Sequence, residues 1–455
     1  MKSVTTGSSR GHLSRGITLV VAVVCCAALG GCAGSSLPSL PKMKDLNPFA
    51  EPEQRLAGKR VPVVPATTGS TNRELAPADK PIALAAAAPN TDWSQPRGSA
   101  SNAPGHLVFN GAGRRAWRVS VGIGSTRKGK VTASPIVYGG RIFTMDSQSL
   151  VTASSANGGG RVWRVQVAPE QEGRGEGYGG GLAIDEGRLI VSTGFGLVAA
   201  LDPARGKKLW ETKLGVPVRA APTAIGGQVY VIASDGRVFS LSAADGSQLW
   251  TFQGLPQSTS LIASPSPAVF GNIVAVPYPS GDLVALKTDD GSPVWSDSLA
   301  STRTSGLGNM SDAASPAISD GIVYAIGHSG RMIAADAQSG ERLWSLNIPG
   351  IQAPAVSNRT VFVVDTQGQA AAIDGRAGQM IWTVKLPGAK TWSGPTLASG
   401  RLWFVSNTGA LVGVDAATGR VATKAQVGSP AYVAPVVAGG QLFVLTDKAE
   451  LVAFR

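Results

Sequence analysis

Hydrophobic and polar positions alternate with a period of two along short stretches of this chain, with turn residues between them. Between Ala220 and Phe252 four such stretches follow one another, at 220–224, 228–233, 238–242 and 248–252, separated by Gly-Gly, Asp-Gly and Ala-Asp-Gly. Alternation rich in valine, isoleucine and aromatics predicts half-buried strands, and those turn sequences suit tight hairpins. The same order recurs along the chain, with unit starts near Pro135, Ala183, Pro222, Pro267, Pro316, Pro354, Pro395 and Pro435.

The fourth stretch of each unit carries a repeated signature: an acidic or polar turn, a glycine, then a tryptophan. Asp202…Gly206…Trp210, Asp245-Gly246…Trp250 and Asp290-Gly291…Trp295 are examples. Trp117, Trp163, Trp210, Trp250, Trp295, Trp344 and Trp382 recur at spacings of 38–49 residues, and Ala422 is read as standing at the eighth equivalent place. Four-strand units at this period are propeller blades. The expectation is therefore an all-β fold: an eight-bladed β-propeller of four-stranded antiparallel blades.

The two ends of the array suggest how it closes. The last unit stops after its third strand at Leu451–Arg455, and the first tryptophan stretch, 115–121, has no three strands before it. The Trp117 strand is expected to complete the last blade, leaving no open sheet edge at the seam. The seven tryptophans are read as structural repeat residues filling the wedge between blades. Such a ring buries about 150–250 Å², roughly several kcal/mol by area.

Residues 1–31 read as a targeting segment outside the fold. Lys2, Arg10 and Arg15 form a basic start, and an apolar stretch from Ile17 to Leu29 leads into Gly30-Gly31-Cys32. This stretch is short of the roughly 20 residues that span a bilayer. Small residues before a cysteine resemble a bacterial lipobox, which implies cleavage before Cys32 and its acylation. An ordinary secretory signal is the alternative. Ala33, where inner-membrane lipoproteins often carry Asp, points by the same resemblance to the outer membrane. Residues 32–90, rich in Pro, Ala, Ser and Thr, are expected to be a flexible tether, with the propeller over 91–455.

Composition narrows the chemistry. Charged residues are only 15% of the chain and glycine numbers 58, which suits short strands and tight turns rather than a helical bundle. The net charge of +12 drops to +9 without Lys2, Arg10 and Arg15, and the basic residues are scattered, so nucleic acid is not an expected partner. Cys25, Cys26 and Cys32 are the only cysteines, so the processed chain has one thiol and no cysteine-based metal site.

The Asp-x-x-x-Gly-x-x-x-Trp blades resemble the pyrroloquinoline-quinone-type propeller repeat, shared by quinoprotein dehydrogenases and by non-enzymatic lipoproteins. Together with the lipobox, and with 179–183, 192–196, 323–332 and Asp92-Trp93…Pro104-Gly105-His106-Leu107, the chain is similar to the BamB family of lipoproteins of the outer-membrane β-barrel assembly machinery, in the long alphaproteobacterial form. The resemblance implies a scaffold without cofactor, lipid-anchored in the outer membrane and facing the periplasm. Its implied partners are the POTRA domains of BamA, the other assembly-machinery lipoproteins and unfolded outer-membrane protein clients. It places the BamA contact on two loops, which here hold Leu261 and Ile262, and Arg303 and Asp312. Leu261 stands as an apolar anchor and Asp312 as a carboxylate for a basic group; Ile262 departs from the arginine frequent in the family. Capture of client strands at a propeller edge is a further implied possibility.

A pyrroloquinoline-quinone-dependent dehydrogenase, or another ligand-binding propeller, is the rival reading. Such enzymes need a carboxylate base, oxygen ligands for calcium and a vicinal disulfide. The only Cys-Cys pair lies in the targeting segment, and Asp235, Asp245, Asp290 and Asp374 fall in turns that use an aspartate locally. Gly175-Glu-Gly177-Tyr-Gly-Gly180 matches a dinucleotide pattern but precedes a strand, so no helix N-terminus receives a phosphate. His106 and His328 are expected to be hydrogen-bonded structural residues.

Overall fold

The computed structural model describes residues 82–169, 177–254, 265–299 and 313–455, all within one compact unit, Pro65–Arg455. Thirty-two strands in this region form eight four-stranded antiparallel sheets, and the described residues contain no α-helix. Seven sheets are built from consecutive strands: 136–166, 180–213, 223–253, 268–298, 317–346, 355–385 and 392–426, here blades 1 to 7. Blade 8 joins Val436–Ala438, Gln441–Leu445 and Glu450–Phe454 to the N-terminal strand Arg115–Ser120. The expected eight-bladed propeller and its closure are both observed.

At the seam the Arg114 and Arg455 backbones exchange N–H···O bonds of 2.8 Å in both directions, and Trp117 pairs with Ala453. Strand Arg115–Ser120 is thus locked to Glu450–Phe454 by the same kind of ladder that holds the other blades. In blade 3 the innermost strand is shorter than its alternation suggests, running only from Thr223 to Ile225. Pro222 has no N–H to give to a ladder, so pairing starts after it.

Every blade tryptophan follows one packing rule. On the neighbouring third strand it faces a small residue: Ala153 opposite Trp163, Ser240 opposite Trp250, Ala372 opposite Trp382. Its ring then crosses to the next blade and covers the turn glycine there. A methyl group at Gly159, Gly206, Gly246, Gly291, Gly340, Gly378 or Gly419 would lie 2.5–2.8 Å from side-chain atoms of the preceding blade's tryptophan. For each of these rings except Trp117, the carbonyl three residues before that glycine accepts the indole N–H. The acceptors are Pro203, Ala243, Thr288, Ala337, Gly375 and Ala416, at 2.8–3.1 Å. The repeated turn is therefore a socket for the ring of the blade before it.

Blade 7 corrects the alignment. The position in register with the tryptophans is Thr423, paired with Gly413, and not Ala422, because the tryptophan stands four residues after the turn glycine and Gly419 fixes that count. Thr423 is small, and the volume is supplied by Trp403 on the second strand, which is fully buried and reaches over Gly413. Trp403 meets the edge of Phe109 at 5.2 Å, and Gly113 approaches it from the N-terminal entry, where blade 8 has no turn of its own.

The second departure concerns the tether boundary. Residues 82–90, expected to belong to the tether, are hydrogen-bonded to the disc: Ile82 N–H to Ala417 O at 3.1 Å, Ala85 N–H to Ser357 Oγ at 3.2 Å, and Asn90 Nδ2 to Val437 O at 2.7 Å. From there to Asn110 the chain runs as a strap around the hub. Trp93 exchanges bonds with Val137, Ser94 O accepts from Ile184, the Gln95 amide bridges Ala224, and Ala100 and Ser101 carbonyls accept from Val269 and Ile318. Leu107 pairs with Leu397 and Ser399, and Arg97 donates to Ala353 O. All eight innermost strands or their leads are touched, and each gains partners for backbone groups that face no neighbouring strand. His106 is held on both nitrogens: Gly400 N–H donates to Nε2 at 2.7 Å, so the proton sits on Nδ1 and goes to Ala85 O at 2.7 Å.

Candidate functional site

Because strands alternate in direction within a blade, its internal turns are split between two faces. The strap lies against the turns that join first and second strands, at Gly139, Gly400 and Gly439. The connections between blades open on the opposite face. The described ends of the two loops singled out in the sequence, between blades 3 and 4 and between blades 4 and 5, lie on that face. Leu261, Ile262, Arg303 and Asp312 themselves lie outside the described residues, as does Cys32. The ends of both loops are described, and they meet.

Ser266 closes the first loop and Ser315 the second. Ser266 N–H donates to Ser315 Oγ at 2.8 Å, and the two hydroxyls are 3.4 Å apart. Asn102 of the strap ties them from the other side. Its amide Nδ2 reaches the carbonyls of Ser266, Pro267 and Pro316 at 3.3, 3.2 and 3.0 Å, while its Oδ1 accepts from Ser266 Oγ at 3.1 Å. Asn102 is 2% exposed with φ +57°, a conformation asparagine tolerates better than most residues. Sequence reasoning missed it; its only signal was an asparagine in a Ser-Asn-Ala-Pro-Gly turn.

Tyr278 stands between the described ends of the two loops. Its carbonyl accepts from Ala313 N–H at 3.3 Å, and its ring closes on Gly254, where the first loop begins. The phenol is buried, and desolvation pushes its pKa well above the ordinary tyrosine value. Beyond the second loop, Arg342 of blade 5 grips Asp297 of blade 4 with Nε at 3.0 Å and Nη2 on the other oxygen, a two-point clamp across the blade junction.

At the centre of the same face a funnel of about 170 Å³ runs down the axis toward the strap, with Pro96 and Arg97 among its lining residues. Among the described residues its walls combine small and hydroxyl side chains with Val131, Ile351, Gln352 and Val433, and Tyr432, 49% exposed, also lines it. Arg97 is the only charged side chain in that lining, and no described group of His, Cys, Asp and Glu could hold a metal ion. On the outer rim, Val162, Leu209, Leu249, Val294 and Leu343 each precede a blade tryptophan and are 40–50% exposed on edge strands.

A family model described as "Outer membrane protein assembly factor BamB" matches residues 147–384 and 366–455. Among curated proteins, the assembly factor BamB of Yersinia pestis is 24% identical over 347 residues, covering 75% of this chain and 88% of that protein. The BamB of Nitrosomonas eutropha is 26% identical over 213 residues, and there the match spans half of the relative's length. Among solved structures, BamB from Moraxella catarrhalis superposes with a TM-score of 0.61 at 19% identity, covering 75% of this chain and 99% of that one. A quinohemoprotein alcohol dehydrogenase from Comamonas testosteroni gives 0.62 at 15% identity, covering 81% of each. These structural likenesses speak for the fold alone.

Proposed function

The chain belongs to the outer membrane protein assembly factor BamB family, and from that premise we propose that it is a non-enzymatic scaffold of the outer-membrane protein assembly complex. It docks on the periplasmic POTRA domains of BamA through the loops that hold Leu261, Ile262, Arg303 and Asp312, alongside other lipoproteins of the machinery. Acylated Cys32 anchors it in the outer membrane, facing the periplasm, and residues from 32 to about 81 serve as the tether. The observation that carries the reading is the node at Ser266, Ser315 and Asn102, which makes two sequence-distant loops spring from one fixed base. A shared, buried base lets both loops present one surface without the ordering cost of two independent segments.

The rim supports the client-handling part of this role. Outer strands with an unpaired edge and exposed Val162, Leu209, Leu249, Val294 and Leu343 offer main-chain bonding and apolar contact to an extended chain. The quinoprotein alternative needs carboxylate and amide oxygens around calcium. The described funnel lining offers hydroxyls, backbone, the Gln352 amide and one arginine but no carboxylate, so those residues do not fit that group.

Affinity purification of the full-length protein from membranes tests the proposal. BamA is expected among the recovered partners; recovery of intact, acylated protein without BamA sinks the assembly reading. Fatty-acid labelling that persists in Cys32→Ser refutes the anchor.

A further inference from the structure

Arg97 is a cation in an unusual place. It sits in the strap, yet it is half-buried and lines the axial funnel, which opens on the loop face. Among the described residues one hydrogen bond uses one donor, Nη2 to Ala353 O at 3.2 Å. A guanidinium has five N–H donors, so most of the fork is free to bind. Burial lowers its pKa to about 10, and desolvation is the sole cause. Among the described residues no acid faces it across the funnel.

We propose that the funnel is a binding site for a carboxylate, held on Arg97. Charge matching selects that class. One guanidinium balances one carboxylate, whereas a doubly charged phosphate would carry a net negative charge into a funnel with no second described cation. The walls fit such a guest. Ser134, Ser315 and Thr391 offer hydroxyls along the path, Ala314 and Ala434 keep it narrow, and Tyr432 supplies an aromatic flank. A volume of about 170 Å³ accommodates the end of an extended chain or a small organic acid, and not a folded segment. The carboxylate has two possible sources, the free C-terminus of a polypeptide and a small organic acid. The inference stands apart from the docking role because its charged anchor, Arg97, takes no part in the loop-base node, although Ser315 belongs to both.

The experiment is calorimetric titration of the full-length protein with N-acetyl-tetraalanine, the same peptide as its C-terminal amide, and acetate. Expected is binding of the free acid and a loss of about tenfold or more on amidation, the cost of removing one charge-assisted contact. Arg97→Gln keeps a donor for Ala353 O and loses the charge, so it should bind acid and amide alike. Saturable binding of acetate, with the peptide acid no tighter, assigns the site to small organic acids; peptide acid binding far above acetate assigns it to chain ends. Equal binding of acid and amide by the unaltered protein overturns the proposal. So does acid binding that Arg97→Gln leaves intact. The amide comparison needs no variant and holds even if Arg97→Gln unfolds.

Discussion

The ring of Trp250 lies flat on Gly291 of the next blade, so close that a methyl group there would stand 2.5 Å from its Cε3, and its indole N–H donates to Thr288 O at 2.8 Å. One contact thus joins a strand, a turn and a blade junction. Gly291 also has φ +72°, in the left-handed region. Gly271, at φ +58° in a hairpin turn, has open space around it. Gly291→Ala should cost about 2–5 kcal/mol, adding overpacking to backbone strain, whereas Gly271→Ala should cost only about 1–2. Urea unfolding of both variants measures the difference. Equal losses would mean that the ring contact contributes nothing.

Trp117 separates the two parts of the socket. It covers Gly159 like its counterparts, but its Nε1 has no hydrogen-bond partner. Trp250→Phe leaves Thr288 O without its donor; Trp117→Phe removes only ring volume and an unpaired N–H. The first should be the more destabilising by about 1–3 kcal/mol. A reversed order in denaturant midpoints would assign the stabilisation to ring area alone.

Blade 7 carries the exchanged arrangement in which Trp403 fills the space left by Thr423. Thr423→Trp should therefore destabilise by about 1–3 kcal/mol despite restoring the repeat, since Trp403, Gly413 and Gly113 already close that volume. Trp403→Phe in the same chain should recover part of the loss. Stabilisation by Thr423→Trp alone would show that this junction is underfilled.

The turn carboxylates give the fold an acid limit. Backbone N–H donation from Ser339 holds Asp336 below the ordinary carboxylate range, and the Ser292 side chain and backbone do the same for Asp290. A depressed folded pKa stabilises the fold above the unfolded value, about 3.9, and that contribution is lost as pH falls through the folded pKa. Asp336→Ala should lower the urea midpoint at pH 7 and converge on the unaltered protein near pH 2. A gap that persists in acid would place the role of Asp336 in packing instead of charge.

The blades were legible because their order is local. Alternation, turn glycines and tryptophan spacing each repeat within about 45 residues, and even ring closure follows from two incomplete units. The strap was not legible. Residues 82–110 have no alternation of their own, and their order comes from bonding one position in each of eight sheets, which no window of sequence contains. Asp92-Trp93 and His106-Leu107, which carried the family resemblance, turn out to be strap residues. Ala422 was misplaced by one residue for a related reason: without a ring to mark the register, only pairing of Thr423 with Gly413 fixes it.

Asn102 connects strap and loops, and its variants test whether that node matters beyond stability. Asn102→Gly keeps the left-handed backbone and removes the amide, leaving the carbonyls of Ser266, Pro267 and Pro316 without their donor; about 1–3 kcal/mol should be lost. Asn102→Asp should cost more, because a carboxylate oxygen then replaces the donor and faces those same carbonyls. Amide exchange should rise at 265–269 and 313–318 in Asn102→Gly while 441–445 in blade 8 stays protected, and recovery of BamA with the full-length protein should fall. Exchange that rises evenly around the ring would reduce Asn102 to a general stabiliser. Unchanged recovery of BamA, with the loop bases demonstrably loosened, would separate the node from docking and remove the observation on which the two-loop surface rests.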